Sequence, residues 1–171
     1  MELTSFSLDE FDELSSWFSD DKSVGLWAGP EYRYPLTKND IQRMLFEPSG
    51  QRPSRFAWTA KIKNSIAGHS QLCFNWENGS ALLCRVAVSP TLRGMGYAKP
   101  LVSLTLQNAF RHRNIQEVEL NVFTFNIAAI AVYRSFGFLN LGTLKPPVGI
   151  GIDRWQTYTM RLPRSEWIQP D

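Results

Sequence analysis

Residues 82–98 read Leu82-Leu83-Cys84-Arg85-Val86-Ala87-Val88-Ser89-Pro90-Thr91-Leu92-Arg93-Gly94-Met95-Gly96-Tyr97-Ala98. An apolar strand, Ala81 to Val88, empties into a turn with two glycines, and a helix follows from about Tyr97 to Arg111. Pro100 falls in the first turn of that helix, where a missing N–H is tolerated, and bounds the start near residues 96–99. Glycine lets the main chain come close to a ligand. The first N–H groups of a helix lack internal partners, and the helix dipole places partial positive charge beside them. Such a junction suits a pyrophosphate, and Arg93 adds a full charge with bidentate donors. Alone, a glycine pair at a strand–helix junction also fits a tight turn with no ligand.

Two nucleotide motifs fail at this turn. A phosphate loop for nucleotide hydrolysis needs Gly-Lys-Ser/Thr after the glycines, and Gly96 is followed by Tyr97-Ala98. A dinucleotide fingerprint needs a third glycine where Lys99 stands, and it belongs to a parallel βαβαβ array.

Outward from the turn, the pattern predicts seven strands and four helices in the order β-α-α-β-β-β-α-β-α-β-β. Glu2–Phe6 is a short strand. Leu8, Phe11, Leu14 and Phe18 have helical spacing, with Ser7 and Glu10 as a capping box. Residues 19–36 read as an aromatic loop. Thr37 caps a second helix with Asp40 in its first turn. Pro48–Pro53 breaks the pattern, and Arg55–Ile62 and Ser65–Phe74 read as strands joined at Lys63-Asn64. Glu117–Phe123 is a strand, and Asn126–Phe136 is a helix capped by Asn126 and stopped by Gly137. Phe138–Leu144 and Arg154–Leu162 close the chain, around a loop with Pro146-Pro147. Hairpins come first and one βαβ unit sits in the centre. The expected class is α/β (α+β mixed): a mostly antiparallel sheet of seven strands flanked by helices, not a doubly wound parallel sheet.

A second constellation stands about thirty residues past the turn: Asn126-x-x-Ala129-x-x-x-Tyr133-x-x-x-Gly137-Phe138. Asn126, Ala129 or Ile130, and Tyr133 share one helical stripe. Ala129 is small enough to let a ligand pass, and a phenol is protonated at neutral pH and can donate its proton. An isolated Tyr on a helix is more often a core residue with a satisfied hydroxyl. Arg93-x-x-Gly96-x-Ala98 followed by this second motif resembles the GCN5-related N-acetyltransferase (GNAT) superfamily. The resemblance covers the whole element order and is specific over residues 81–139. Trp27-Ala28-Gly29-Pro30 through Tyr34-Pro35-Leu36-Thr37 is similar to the substrate-side loop of some bacterial members.

The resemblance implies a single N-acetyltransferase domain over residues 1–171 that uses acetyl-CoA as acyl donor. Val86, Ala87 and Val88 would offer main-chain groups to the pantetheine arm. Arg93, Gly94, Met95, Gly96, Tyr97 and Ala98 would hold the pyrophosphate. Asn126 and Ala129 would face the cofactor, and Tyr133 would be the catalytic acid beside the thioester sulfur. The Val86 N–H would polarise the acetyl carbonyl. Many members carry a Glu on the fourth strand, and Ala81-Leu82-Leu83-Cys84-Arg85 has none, which leaves Glu77, Glu119 or water as candidate bases. The acceptor, an amine of a small molecule or a protein, is expected between residues 8–47 and the loop 145–153. Trp27, Tyr32, Tyr34 and Trp76 are candidate walls. A non-catalytic acyl-CoA sensor on the same fold is the alternative.

Composition is consistent with this reading. The 171 residues are 43% hydrophobic and 20% charged, an ordinary globular balance that builds a core without disulfides. A net charge of +2, with scattered basic residues, does not point to nucleic acid. Cys73 and Cys84 lie in apolar runs and read as buried thiols. His69 and His112 have no ligand-like spacing, so no metal is expected. The first residues lack a signal peptide, and no apolar run reaches membrane-spanning length, so a cytoplasmic protein without membrane partners is expected, as monomer or homodimer.

Overall fold

A computed structural model of the chain describes residues 1–46, 52–150 and 153–168. Strand β1 (Glu2–Ser5) is followed by a 3-10 turn (Leu8–Glu10) and three short helices: α1 (Phe11–Ser15), α2 (Asp21–Ala28) and α3 (Lys38–Met44). Three long strands come next: β2 (Arg55–Ile62), β3 (Ser65–Asn75) and β4 (Ser80–Val88). The second half alternates: α4 (Ala98–Phe110), β5 (Glu117–Phe123), α5 (Ile127–Arg134), β6 (Leu139–Asn140), β7 (Val148–Ile150), β8 (Asp153–Trp155) and β9 (Thr157–Pro163). Seven strands form one sheet in the order β1-β2-β3-β4-β5-β9-β6, and β7-β8 make a separate hairpin. Only β4 and β5 run parallel in the large sheet, as the central βαβ unit requires.

Each sheet face buries its own core. On one face Leu72, Phe74, Leu83, Leu120 and Val122 pack against Val102 and Leu106 of α4 and Ile130 and Tyr133 of α5. On the other, Phe11, Leu14, Val24, Ile41 and Met44 of α1–α3 cover the first strands. Residues alternate between the faces: Ser70 reaches Thr105 of α4, whereas His69 contacts Phe6 and Trp27 on the α1–α3 side. The caps expected at Ser7, Thr37 and Asn126 all form. No helix among the described residues is long and apolar enough to cross a membrane.

Four expectations differ from the structure. Residues 19–36, expected as loop, contain α2, whose N-cap is Asp20 in a reciprocal capping box with Ser23. The helix expected over Leu8–Phe18 is a 3-10 turn and a five-residue helix. The strand expected over Phe138–Leu144 pairs only at Leu139 and Asn140. The last strand is interrupted at Gln156, so that Asp153–Trp155 folds back on Val148–Ile150. Most of the Pro48–Pro53 break, and one glycine of the loop after Pro147, lie outside the described residues.

Candidate functional site

The site begins where two neighbouring strands part. β4 and β5 pair from Ser80↔Glu117 to Leu83↔Leu120 and no further. Beyond that point β4 stays on β3 as far as Val88↔Gly68, and β5 stays on β9 as far as Phe123↔Thr157. The cause is a bulge. Gln71 faces Cys84 but His69 faces Ala87, so β4 carries one extra residue over that interval. Arg85 absorbs it with φ +49. A bulge bends and twists its strand, and here β4 turns away from β5. Among the described residues, no strand pairs with Arg85–Val88 on the side toward β5, and an edge without a strand partner is a template for an extended ligand.

The slot leads to the glycine turn. Gly94 and Gly96 sit at φ +76 and +83, where side-chain-bearing residues are strained. A Cβ at either would meet no atom within 4 Å, so packing does not demand glycine there; the backbone shape and the open space do. Tyr97 caps α4 with no side-chain hydrogen bond. Among the described residues, the N–H groups of Gly94, Gly96, Tyr97 and Ala98 have no acceptor. Arg93 is exposed and anchored by its Nε to the Val88 carbonyl at 3.2 Å. Four N–H groups without an acceptor, the start of α4 and the Arg93 guanidinium thus fall within Arg93–Ala98, the combination that suits an anion.

Helix α5 flanks the slot on the α4 side. The Asn126 side chain caps it by accepting from the Ala129 N–H at 3.2 Å, and Gly137, at φ +92, ends it. Tyr133 lies in the core with Leu83 and Leu120, the last paired residues of β4 and β5. Its ring meets Phe138 edge-on at 5.8 Å. Its hydroxyl makes no hydrogen bond among the described residues. Burial, then the neighbouring Cys84, push its pKa up to about 12, so it remains a proton-bearing donor at neutral and moderately alkaline pH.

The opposite mouth of the slot lies under α1–α3. The bulge puts Cys84 and Arg85 on this same face. The Trp27 indole donates to the Arg85 carbonyl at 2.9 Å. Arg85 donates through Nη1 to Gln71 Oε1 at 3.2 Å and through Nη2 to the Ala28 carbonyl at 3.4 Å, and lies 5.9 Å from the Tyr32 ring. Because Gln71 turns its oxygen to Arg85, its amide donates to His69 Nε2 at 3.0 Å, and the His69 proton sits on Nδ1. At the outer rim Phe123, Phe125 and Trp155 form an aromatic cluster, with the Lys22 ammonium 4.9 Å from the Trp155 ring centroid.

Of the four candidate walls, Trp27 and Tyr32 are on this face. Tyr34 is exposed beside α2, its N–H donating to Asp21 at 2.7 Å. The structure does not bring Trp76 to them. It follows β3 at the far end of the β3–β4 hairpin, stacked on Phe74 with its indole bonded to the Pro53 carbonyl. Glu77 lies in that same distant turn. Glu119 is on β5 and is held by Arg161 at 2.8 Å. Cys84 sits 3.9 Å from Cys73; that neighbour, then burial, raises its pKa well above the ordinary thiol value, so it is not a thiolate nucleophile at neutral pH. Arg85, Gln71 and His69 were not singled out from the sequence. The available signal was a charge interrupting an apolar strand.

The buried imidazole makes the site acid-sensitive. Burial, then the Arg85 charge, lower the His69 pKa from 6.5 to about 3. The unfolded chain therefore binds a proton below pH 6.5 that the folded chain refuses until near pH 3. Stability from this group is intact above 6.5 and is lost as pH falls through that window, by about 1.4 kcal/mol per unit. Urea unfolding of the wild type is expected to lose about 2 kcal/mol from this group between pH 7 and pH 5, a loss that His69→Gln removes. Equal pH slopes in the two proteins would contradict the assignment.

The profile of the Acetyltransferase (GNAT) family matches residues 11–138. N-acetylaspartate synthetase from Rattus norvegicus is 29% identical over 103 residues, which are 60% of this chain and 33% of that protein. The Homo sapiens protein of that name is also 29% identical, over 60% of this chain and 32% of its own. The chain thus spans about a third of the length of the curated relatives it matches. Among solved structures, a spermidine N-acetyltransferase from Vibrio cholerae, in complex with CoA and spermine, superposes with a TM-score of 0.79 at 17% identity over 96% of both chains. At that identity the likeness is one of fold.

Proposed function

The chain belongs to the acetyltransferase (GNAT) family, and from that premise we propose that it transfers an acetyl group directly from acetyl-CoA to an amine. The observation that carries the reading is the slot between β4 and β5, with a free strand edge along one side and four unpaired N–H groups at its end. A pantetheine arm carries amides and extends like a strand, so the Val86–Val88 main chain can pair with it. A pyrophosphate carries the charge that Arg93 and the Gly94–Ala98 amides attract, with Met95 and Tyr97 as members of the turn. Asn126 and Ala129 face the cofactor from the start of α5. The Vibrio cholerae structure holds CoA on the same fold, which supports this choice of donor.

The chemistry follows from the two mouths. A thioester in the slot places its carbonyl by the Val86 N–H, which stabilises the oxyanion that forms on attack. The amine arrives in neutral form from the Arg85 face. Tyr133 donates from the α5 face to the sulfur as the C–S bond breaks, and the proton that the attacking nitrogen gives up as the amide forms returns through water to the phenolate. A hydroxyl with a pKa near 12 keeps its proton until the sulfur takes on charge as the C–S bond breaks. Cys84, held as a thiol, takes no part as an acyl carrier.

Thiol release from acetyl-CoA with a panel of amines tests the reading. At least one amine gives sustained turnover with the acetyl group recovered on nitrogen. Thiol release from none, with acetyl-CoA bound, would replace catalysis by ligand sensing. The relatives differ in acceptor: one is named for N-acetylaspartate, the other for spermidine.

A further inference from the structure

We propose that Arg85 makes the acceptor mouth a receptor for a carboxylate, so that the accepted amine is a free amino acid rather than a polyamine. This rests on the acetyl-transfer reading above and adds the substrate class. Arg85 stands one residue from Val86, the residue assigned to the acetyl carbonyl, and its side chain lies on the face opposite Tyr133. The groups around its guanidinium are neutral: Gln71 Oε1 at 3.2 Å, the Ala28 carbonyl at 3.4 Å and Cys84 Sγ at 3.9 Å. Its Nε is inaccessible and has no partner. The ion pairs among the described residues join Arg43 to Asp40, Lys61 to Glu10, and Arg161 to Glu117 and Glu119, and leave Arg85 out.

A partly buried guanidinium with long bonds to neutral acceptors retains most of its demand for a carboxylate, and its planar fork matches one. Backbone needs do not explain the residue either. At φ +49 a glycine or asparagine would make the bulge with less strain. The spacing suits an amino acid, whose amine and carboxylate are separated by few bonds, just as the Arg85 side chain and the Val86 N–H are neighbours along the chain. Lys22 at the rim adds a second cation. A polyamine would set its ammonium groups against both.

A purely structural role, clamping the C-terminal turn of α2 through Ala28, is the competing account, and kinetics separates the two. The experiment compares each α-amino acid with its carboxamide, and both with spermidine, in the thiol-release assay on wild type, Arg85→Gln and Arg85→Lys. In the wild type at least one amino acid exceeds its amide in kcat/KM by about 10²-fold, and spermidine is a poor acceptor. Arg85→Gln raises KM for that amino acid at least about tenfold more than it raises KM for the amide, and Arg85→Lys falls between. Preference for amides or spermidine in the wild type overturns the inference, as does acceptance of no amino acid, or equal losses for acid and amide in Arg85→Gln. Failure of the acetyl-transfer reading is separate: neither acetyl-CoA binding nor thiol release with any amine. Should Arg85→Gln not fold, the wild-type acid–amide comparison decides alone.

Discussion

Tyr133→Phe is expected to lower kcat by about 10²- to 10³-fold and to leave acetyl-CoA affinity within about twofold. The substitution removes one oxygen and little else. The ring keeps its edge contact with Phe138 and its place between α5 and the last paired residues of β4 and β5. The hydroxyl has no hydrogen-bond partner among the described residues, so the fold loses none. What goes is the hydroxyl proposed to protonate the leaving sulfur. Steady-state kinetics at saturating substrates, with calorimetric affinities, checks this. The pH profile supplies a second reading. With the phenol held up to about 12, the wild type shows no loss of kcat from its ionisation below pH 9–10. Unchanged turnover, or a large loss of affinity with turnover intact, would remove Tyr133 from the chemistry.

Gly96→Val is expected to weaken acetyl-CoA binding by about 10²-fold or more. At φ +83 a β-branched residue is strained and pulls the turn toward ordinary angles. The amides of Gly96, Tyr97 and Ala98 then point elsewhere, and hydrogen bonds to a charged group are each worth about 1.5–3 kcal/mol. The new side chain also enters the space above the turn, which no protein atom occupies within 4 Å of the added Cβ. Since no packing is disturbed, thermal unfolding shifts far less than affinity does. Equal binding by Gly96→Val and wild type would move the pyrophosphate away from this turn.

What could be read in advance follows from the range of each interaction. The strand–turn–helix junction, the caps at Ser7, Thr37 and Asn126 and the stop at Gly137 depend on residues within one helical turn, and each is present. The element order and mixed sheet followed from them. Helix α2 escaped because its capping box uses Ser23 where Glu or Gln is the recognisable partner, and because Gly25 interrupts its middle. That glycine answers to a distant segment: a Cβ there would come within 2.6 Å of Ile150 on β7. The bulge at Arg85 was illegible for the same kind of reason, since an extra residue exists only relative to the register of β3. With the bulge went the Arg85–Gln71–His69 chain behind it. Trp76 was a candidate wall on aromatic character alone, and the hairpin register sends it to the other end of the sheet. Arg93, Ala129 and Tyr133 were singled out from residue chemistry and spacing, and the resemblance supplied their assignment to acetyl-CoA and the role of Asn126.

The central claim is that the slot and its terminal amides hold acetyl-CoA. Calorimetric titration of the intact protein with acetyl-CoA tests it most directly. The account predicts one site per chain, with affinity in the ~1 µM–1 mM range typical of enzyme substrates, falling steeply in Gly96→Val and persisting in Tyr133→Phe. No heat of binding at millimolar acetyl-CoA, or binding that ignores the Gly96 substitution, would contradict it.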